Sequence, residues 1–302
     1  MKTPHPIPYQ GSKRLLAPLI LNYFPRDAPT LIEPFAGAAA VSLAAARTPG
    51  IHRIVLNDIN KPLMELWRGI IEEPEAVVSA YEKLWRAQLG KEREYYDVVR
   101  EQFNKTQYAP FLLYLLARCV KASVRYNSDG HFNQSPDNRR RGMNPKTMRW
   151  HILAASRLLR EKKTKVTSGD YWESLQTVRR QDLVYMDPPY QGVCANRDPR
   201  YLSGPDFDKF MERLHQLNER GISFILSYDG RTGNKSYGRP MPEGLGLVRI
   251  EIDAGRSSQA TLLGRDSNTF ESVYLSPSLV ERLGTVSKSH LAIAPKQLHL
   301  LA

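Results

Sequence analysis

Short apolar runs alternate with stretches of helical period over much of this chain, which predicts strands interleaved with helices. Thr30-Leu31-Ile32-Glu33 reads as a strand, Pro34-Phe35-Ala36-Gly37 as a tight turn, and the alanines with Val41 and Leu43 as a helix. Arg53 to Leu56 predicts a second strand ending in Asn57-Asp58-Ile59-Asn60, and Leu15 to Phe24 near the N-terminus has helical character. From Pro62 to about Met148 the strand pattern disappears. Residues 62–89 and 92–120 read as helical, with Trp67, Trp85, Tyr95 and Phe103 as apolar anchors. A hairpin is predicted over Arg125 to Asn133 around a Ser128-Asp129-Gly130 turn, followed by a polar, basic loop to Asn144. Alternation returns with a helix over Lys146 to Leu159 and strands at Lys165–Ser168, Leu183–Met186, Ile222–Ser227, Leu247–Asp253 and Phe270–Leu275. The last two suit an antiparallel pair at a sheet edge. The expected fold is α/β: a doubly wound sheet from residues 1–61 and 149–302, carrying a mainly helical insertion over 62–148.

Charge sharpens the view of that insertion. The chain has 302 residues, enough for a large core, and a formal net charge of +12. Between Lys121 and Lys165 twelve basic residues face three acidic ones, Asp129, Asp137 and Glu161, so the excess is concentrated there. A solvated face would also look like this, but a polyanionic partner is the functional expectation. No stretch reaches the ~20 apolar residues of a membrane span, and the greasiest run, Phe111 to Val120, suits a core helix. The N-terminus lacks the pattern of a signal peptide. Cys119 and Cys194 show neither metal spacing nor a disulfide framework. The expectation is a cytoplasmic protein with no metal and no membrane contact, monomeric or weakly dimeric.

Candidate chemistry centres on Leu183-Val184-Tyr185-Met186-Asp187-Pro188-Pro189-Tyr190. The apolar run predicts a strand buried on both faces, and the prolines end it because neither can donate to a ladder. Asp187 and Tyr190 are then held on a stiff loop at a strand's C-terminal end, where open α/β sheets bind ligands. A second acid, Asp58, ends the second strand 21 residues after Gly37, the place from which an acid reaches a ribose diol. It also suits a helix N-cap. Pro8-Tyr9-Gln10-Gly11-Ser12-Lys13 forms a turn ahead of a helix start, and Gly169-Asp170-Tyr171-Trp172 follows the strand at Lys165–Ser168.

Asp187 to Tyr190 is similar to the Asp-Pro-Pro-Tyr catalytic loop of the DNA amino-methyltransferases. The motif order, with Tyr-x-Gly-x-Lys first, then the Glu33-to-Gly37 turn, Asp58, the insertion, Asp170 and Asp187, resembles the Dam-type (alpha group, D12 class) DNA N6-adenine methyltransferases. The resemblance implies a Rossmann-like catalytic domain around an inserted target-recognition domain. It implies transfer of a methyl group from S-adenosylmethionine to the N6 amine of a flipped adenine in double-stranded DNA. Asp187, Pro188, Pro189 and Tyr190 would be catalytic, with Asp187 and the Pro188 carbonyl accepting the amine protons and Tyr190 stacking on the base. Tyr9, Gly11, Lys13, Glu33, Phe35, Gly37, Asp58, Asp170, Tyr171 and Asp187 would line the donor site, Lys13 lying near the donor's carboxylate or the DNA backbone. Asp170 would accept from the donor's adenine amine, with Tyr171 packed on the ring. Arg125, Asn127 and Asn133 would read bases, and Arg139, Arg140 and Arg141 would contact phosphates. Residues 191–204 would form a lid over the base. Arg256, Ser257, Ser258 and Arg265 are further candidate phosphate contacts.

One departure and four rivals bear on this. The family's second glycine, two positions after Gly37, is Ala39 here, which expects right-handed helical backbone at that position. Ribosomal-RNA and protein-glutamine methyltransferases share the fold but typically carry Asn at position 187, and N4-cytosine enzymes usually carry Ser there. C5-cytosine chemistry needs a Pro-Cys dipeptide, which this chain lacks. From a different class, a DNA-binding module descended from an enzyme has Ala39 as its sequence support.

Overall fold

A computed structural model describes residues 2–189, 204–232, 235–237, 239, 241–256 and 268–284. Tyr190, Cys194, the lid candidate 191–203, and Ser257, Ser258 and Arg265 lie outside the described residues. The strands are β1 (Thr30–Glu33), β2 (Arg53–Asp58), β3 (Lys165–Ser168), β4 (Leu183–Met186), β5 (Ser223–Thr232), β6 (Lys235–Tyr237), β7 (Val248–Arg256) and β8 (Asn268–Leu275). They join one mixed sheet in the order β3-β2-β1-β4-β5-β8-β7, with β6 hydrogen-bonded to β5. β1 to β5 pair in parallel, and β8 runs antiparallel to both β5 and β7. The chain winds outward from β1 through β2 to β3, then returns to place β4 on the other side of β1. That reversal makes the C-terminal ends of β1 and β4 a topological switch point, the place where open α/β sheets bind ligands.

The central strands are covered on both sides, so β1 and β4 are buried at every position. Side chains alternate between two cores with period two. Leu31, Leu183 and Tyr185 face one core, whereas Ile32, Val184 and Met186 face the other. The second core holds Leu175 of α8 (Tyr171–Leu175) and Phe210, Leu214 and Leu217 of α9 (Phe207–Glu219). The first holds α2 (Ala40–Ala45), α3 (Lys61–Glu72) and α7 (Pro145–Glu161) together with the other helices of the insertion. α1 (Ala17–Ile20) and α10 (Pro277–Arg282) complete this side.

Two long helical stretches expected in the insertion are in fact four helices. Pro74 and Pro110 sit in the first turns of α4 (Pro74–Ala87) and α6 (Ala109–Arg118), where a missing N–H costs nothing. α5 (Glu92–Thr106) ends at Gln107, whose φ of 54° is left-handed. The N-terminal helix is likewise divided into short 3₁₀ and α turns over Lys13–Tyr23. Arg125 to Asn133 folds back on itself as expected, but through a single isolated bridge, Tyr126 to Phe132, with no named strand. β7 and β8 pair antiparallel as expected, with β7 at the edge. Leu63 and Trp67 of α3 belong to the same core as Leu56 of β2 and Leu112 of α6, so packing runs from the sheet into residues 62–148 without a break. No helix among the described residues is long and apolar enough to cross a membrane.

The N-terminal strap is locked onto α7 by two histidines. The His5 backbone N–H donates to His151 Nδ1 at 3.1 Å, and the rings lie 3.9 Å apart. Burial lowers the His151 pKa to about 4, with His5, Arg14 and Lys2 adding to the fall, and His5 is lowered as well. The folded state therefore binds fewer protons than the unfolded state below pH ~6.5, so stability falls as pH drops through that point toward ~4. Urea midpoints measured between pH 7.5 and pH 5 should decline for the wild type and decline less for His151→Asn, which keeps an acceptor without titrating. Equal slopes for both proteins would assign the pH dependence to other groups.

Candidate active site at the strand switch point

Four chain segments converge where β1 and β4 end. Asp187 follows β4 directly, and Pro188 and Pro189 stiffen the exit. Glu33 ends β1, and Asp58 ends β2. Lys13 arrives from the N-terminal turn, where Gly11 has a φ of 81° and Ser12 N–H donates to Tyr9 carbonyl. Lys13 is only 7 % exposed. Its Nζ lies 2.9 Å from Asp187 Oδ1 and 3.2 Å from Glu271 Oε2. Burial alone would lower its pKa, but the Asp187 and Glu271 carboxylates outweigh it and raise the pKa, so Lys13 stays charged. The structure thus puts Lys13 on Asp187 itself.

The turn after β1 is assembled from backbone and buried polar groups. Asp58 Oδ2 accepts from Gly37 N–H and Oδ1 from Asn60 N–H, each at 3.0 Å. Burial nevertheless pushes the Asp58 carboxyl above its ordinary range. Trp67 Nε1 donates to the Gly37 carbonyl at 2.9 Å, and Ala36 N–H donates to the Asn57 carbonyl at 2.8 Å. Asn57 Nδ2 spans to the Pro34 and Gly169 carbonyls, tying the ends of β1 and β3 together. Gly37 has a φ of 46°, and a Cβ there would lie 3.3 Å from the Tyr9 ring. Tyr9 therefore packs directly on this turn.

Glu33 is buried beneath the turn, where its carboxyl accepts from Ser42 N–H and Ser42 Oγ. It does for α2 what the N-cap residue, Ala39, has no side-chain oxygen to do. Burial pushes its pKa up to about 8, with Asp187 and Asp58 contributing, so at neutral pH it is largely the neutral acid. Phe35 faces the other core, stacked on Tyr171 at 5.0 Å between ring centres and edge-on to Phe210. Asp170 caps α8 by accepting from Trp172 N–H at 2.8 Å.

The comparisons with known proteins decide the family. The sequence profile of the D12 class N6 adenine-specific DNA methyltransferases matches residues 9–282. This chain belongs to that family. It is 28 % identical over 233 residues to the Type II methyltransferase M1.LlaDCHI of Lactococcus lactis subsp. cremoris, covering 72 % of this chain and 78 % of that one. The retron Ec67 DNA adenine methylase of Escherichia coli is 29 % identical over 263 residues, covering 84 % and 87 %. A DNA adenine methylase of Vibrio cholerae serotype O1 is 26 % identical over 231 residues, covering 72 % and 79 %. The D12 chain is thus an adenine-specific DNA methyltransferase.

The basic loop of this D12 enzyme is built on a polar core. Arg118, 1 % exposed, donates to the carbonyls of Asp137 and Glu92. Gln88 donates to the Arg141 carbonyl, Tyr81 to the Met143 carbonyl and Tyr96 to the Gln134 carbonyl, each at 2.7–2.9 Å. The side chains of Arg139, Arg140 and Arg141 project outward, 66–84 % exposed, with Asp137 and Glu92 as ion-pair partners. In the hairpin, Asn133 N–H donates to the Arg125 carbonyl and Asn133 is exposed. Asn127 is engaged in its own turn: Oδ1 accepts from Asp129 and His131 N–H, and Nδ2 donates to Asp129. Tyr126 OH donates to Asn60 Oδ1 at 3.4 Å, and Gln10 N–H to the Ala122 carbonyl at 3.0 Å, so the insertion is fastened to the site.

Sequence reasoning missed Glu271, Ser42 and Trp67 as parts of this D12 site. A charged residue inside the apolar strand Phe270–Leu275 was the available signal for Glu271. Position 39 requires a correction as well: Ala39 has φ 47° and ψ 36°, left-handed where right-handed backbone was expected. It joins the turn to α2 through the bond from Ala39 N–H to Ala36 carbonyl at 2.6 Å. Left-handed backbone costs an L-residue roughly 1–2 kcal/mol. Against that, alanine saves about 0.4–1 kcal/mol of unfolded-chain entropy relative to glycine and buries a methyl worth about 0.8 kcal/mol. The three contributions nearly cancel, which explains how alanine is tolerated. Ala39→Gly should shift stability by less than about 1 kcal/mol in either direction, whereas Ala39→Val, β-branched at positive φ in a buried site, should cost more than about 2 kcal/mol. Denaturant titrations of both variants test this; a strongly stabilised glycine variant would mean that the strain dominates.

Proposed function

We propose that this enzyme transfers the methyl group of S-adenosylmethionine to the N6 amine of an adenine flipped out of duplex DNA. The observation that carries the reading is Asp187, held by two prolines at the switch point and flanked by the Gly37 turn and Asp58. The residues present suit the donor. Gly37 gives the turn the left-handed backbone it needs, Tyr9 packs against it, and each Asp58 oxygen has a second lone pair beyond its N–H bond for a ribose diol. Tyr9, Gly11, Gly37 and Asp58 would hold it, with Glu33 bracing the turn from below and Asp170 and Tyr171 at the end of β3. Once bound, the donor supplies an electrophilic methyl on a sulfonium.

The chain's own contribution is electrostatic and positional. An adenine amine is a poor nucleophile because its lone pair is delocalised into the ring. The Asp187 carboxylate and the Pro188 carbonyl accept its two N–H groups and draw the nitrogen toward tetrahedral geometry, freeing the lone pair. Tyr190 gives the flipped base an aromatic face. Arg139, Arg140 and Arg141 set position on phosphates, while Arg125 and Asn133 read base edges in the major groove, joined by Asn127 only if its turn opens.

Two substitutions separate donor binding from chemistry. Asp58→Ala should weaken S-adenosylmethionine binding at least several-fold while duplex binding persists, as calorimetry would read. Asp187→Ala should fold and bind both ligands but lose on the order of 10²-fold or more in turnover, because it removes an interaction made in the transition state. Near-normal turnover of that variant would end the proposed mechanism.

The two classes of DNA contact should also part company. Removing one arginine of the 139–141 run should weaken binding to all duplexes alike and flatten the salt dependence by about one unit of slope. Arg125→Ala or Asn133→Ala should instead spread methylation to near-cognate sites, since each good base pair contact carries roughly 1–3 kcal/mol of discrimination. Duplex-binding titrations at several salt concentrations read the first outcome, and modified-base sequencing of DNA from expressing cells reads the second. An unchanged site in every hairpin variant would move recognition elsewhere.

A further inference from the structure

Glu271 takes no part in the mechanism above, yet it is a carboxylate in an inner strand of the sheet. It lies on β8, opposite Gly230 of β5 and Ile252 of β7. The β5–β8 ladder slips between Ser227 and Gly230, directly beside it, so that β5 carries an extra residue there. Bulges of this kind re-aim side chains next to active sites. A Cβ on Gly230 would come within 2.6 Å of the Phe270 carbonyl oxygen, so the close pairing that sets Glu271 depends on glycine. The result is Glu271 Oε2 at 3.2 Å from the Lys13 ammonium, which also contacts Asp187 Oδ1 at 2.9 Å. Lys13, Asp187 and Glu271 are 7 %, 19 % and 21 % exposed.

We propose that Glu271 is a positioning residue for methyl transfer: it shares Lys13 with Asp187, so that the ammonium stays anchored when Asp187 takes up the substrate amine. This rests on the reading of Asp187 as the amine's acceptor. A one-to-one pair of Lys13 with Asp187 would be neutral, and a carboxylate quenched by a buried cation is a weak acceptor for an amine. The amine would have to compete with the buried ammonium for the same carboxylate, and drawing a buried charge off its counter-ion is costly. With Glu271 present the triad carries a net charge of −1, and Lys13 keeps a partner throughout. Lys13 in turn keeps the two carboxylates from repelling each other. Among the described residues, ionisable groups around them include Tyr185, which acts on Lys13, and Glu33, on which Asp187 and Asp58 both act.

The test measures kcat, the binding constants for S-adenosylmethionine and duplex, and the pH–rate profile for Glu271→Gln, Glu271→Asp, Lys13→Met and Asp187→Asn. Glu271→Gln should lower kcat at least tenfold while both binding constants stay within twofold, and Glu271→Asp should recover part of that loss. Lys13→Met should move the acid limb of the profile to higher pH, because two carboxylates without their cation hold a proton longer. Glu271→Gln should not produce that upward move. Unchanged kcat in Glu271→Gln with Asp187→Asn inactive would overturn the role of Glu271 alone. A loss of kcat accompanied by equal losses of donor and duplex affinity would reduce Glu271 to a structural residue and overturn it too. Full turnover by Asp187→Asn would remove the acceptor reading and this proposal with it.

Discussion

A buried ammonium survives in a protein interior only if carboxylates surround it, and that requirement organises this molecule. Lys13 comes from the N-terminal turn, Asp187 from the end of β4 and Glu271 from the inner, antiparallel strand β8. The Lys13 ammonium is stabilised by both carboxylates, and each carboxylate by Lys13. The N-terminal turn is drawn over the switch point, β8 is held beside β5, and Asp187 is fixed in orientation from one side. The same pair of contacts ties the N-terminal turn to both the parallel and the antiparallel parts of the sheet.

The turn after β1 follows a related logic, in which buried polar groups are satisfied by backbone. Asp58 and Asn57 between them take up Gly37, Asn60, Pro34 and Gly169, and Trp67 closes the turn from α3. Glu33 caps α2 from beneath in the absence of a capping side chain at Ala39. A turn so over-determined can hold left-handed backbone at an alanine. It also couples the turn to the insertion, since α3 leaves directly from Asn60 and Tyr126 returns to it.

The 62–148 segment therefore continues the hydrophobic core of the sheet. Its helices share the core of one sheet face, and its basic loop is anchored at the backbone by Arg118, Gln88, Tyr81 and Tyr96. Three exposed arginines on a fixed backbone lose less entropy on meeting phosphates than three on a loose loop. The core beneath is polar because carbonyls of an irregular loop need donors wherever they are buried.

What the chain determined locally was legible in its letters. The Leu183–Met186 strand, its termination at two prolines, the βα turn ending in Gly37 and the antiparallel pairing of the last strands all follow from period, apolar runs and φ restriction, which act over a few residues. The order of motifs carried the family. Helix breaks at Pro74 and Pro110 were equally local and were available to be read. What tertiary structure decided was which charges meet. The partners of Lys13, the burial that makes Glu33 a neutral brace, and the aim of Glu271 all depend on strand order and on a slip in the β5–β8 register. Those are properties of chain segments far apart in sequence, and no periodicity along the chain encodes them. The left-handed backbone at Ala39 belongs with them, because the surrounding hydrogen bonds and packing impose a conformation that alanine by itself would avoid.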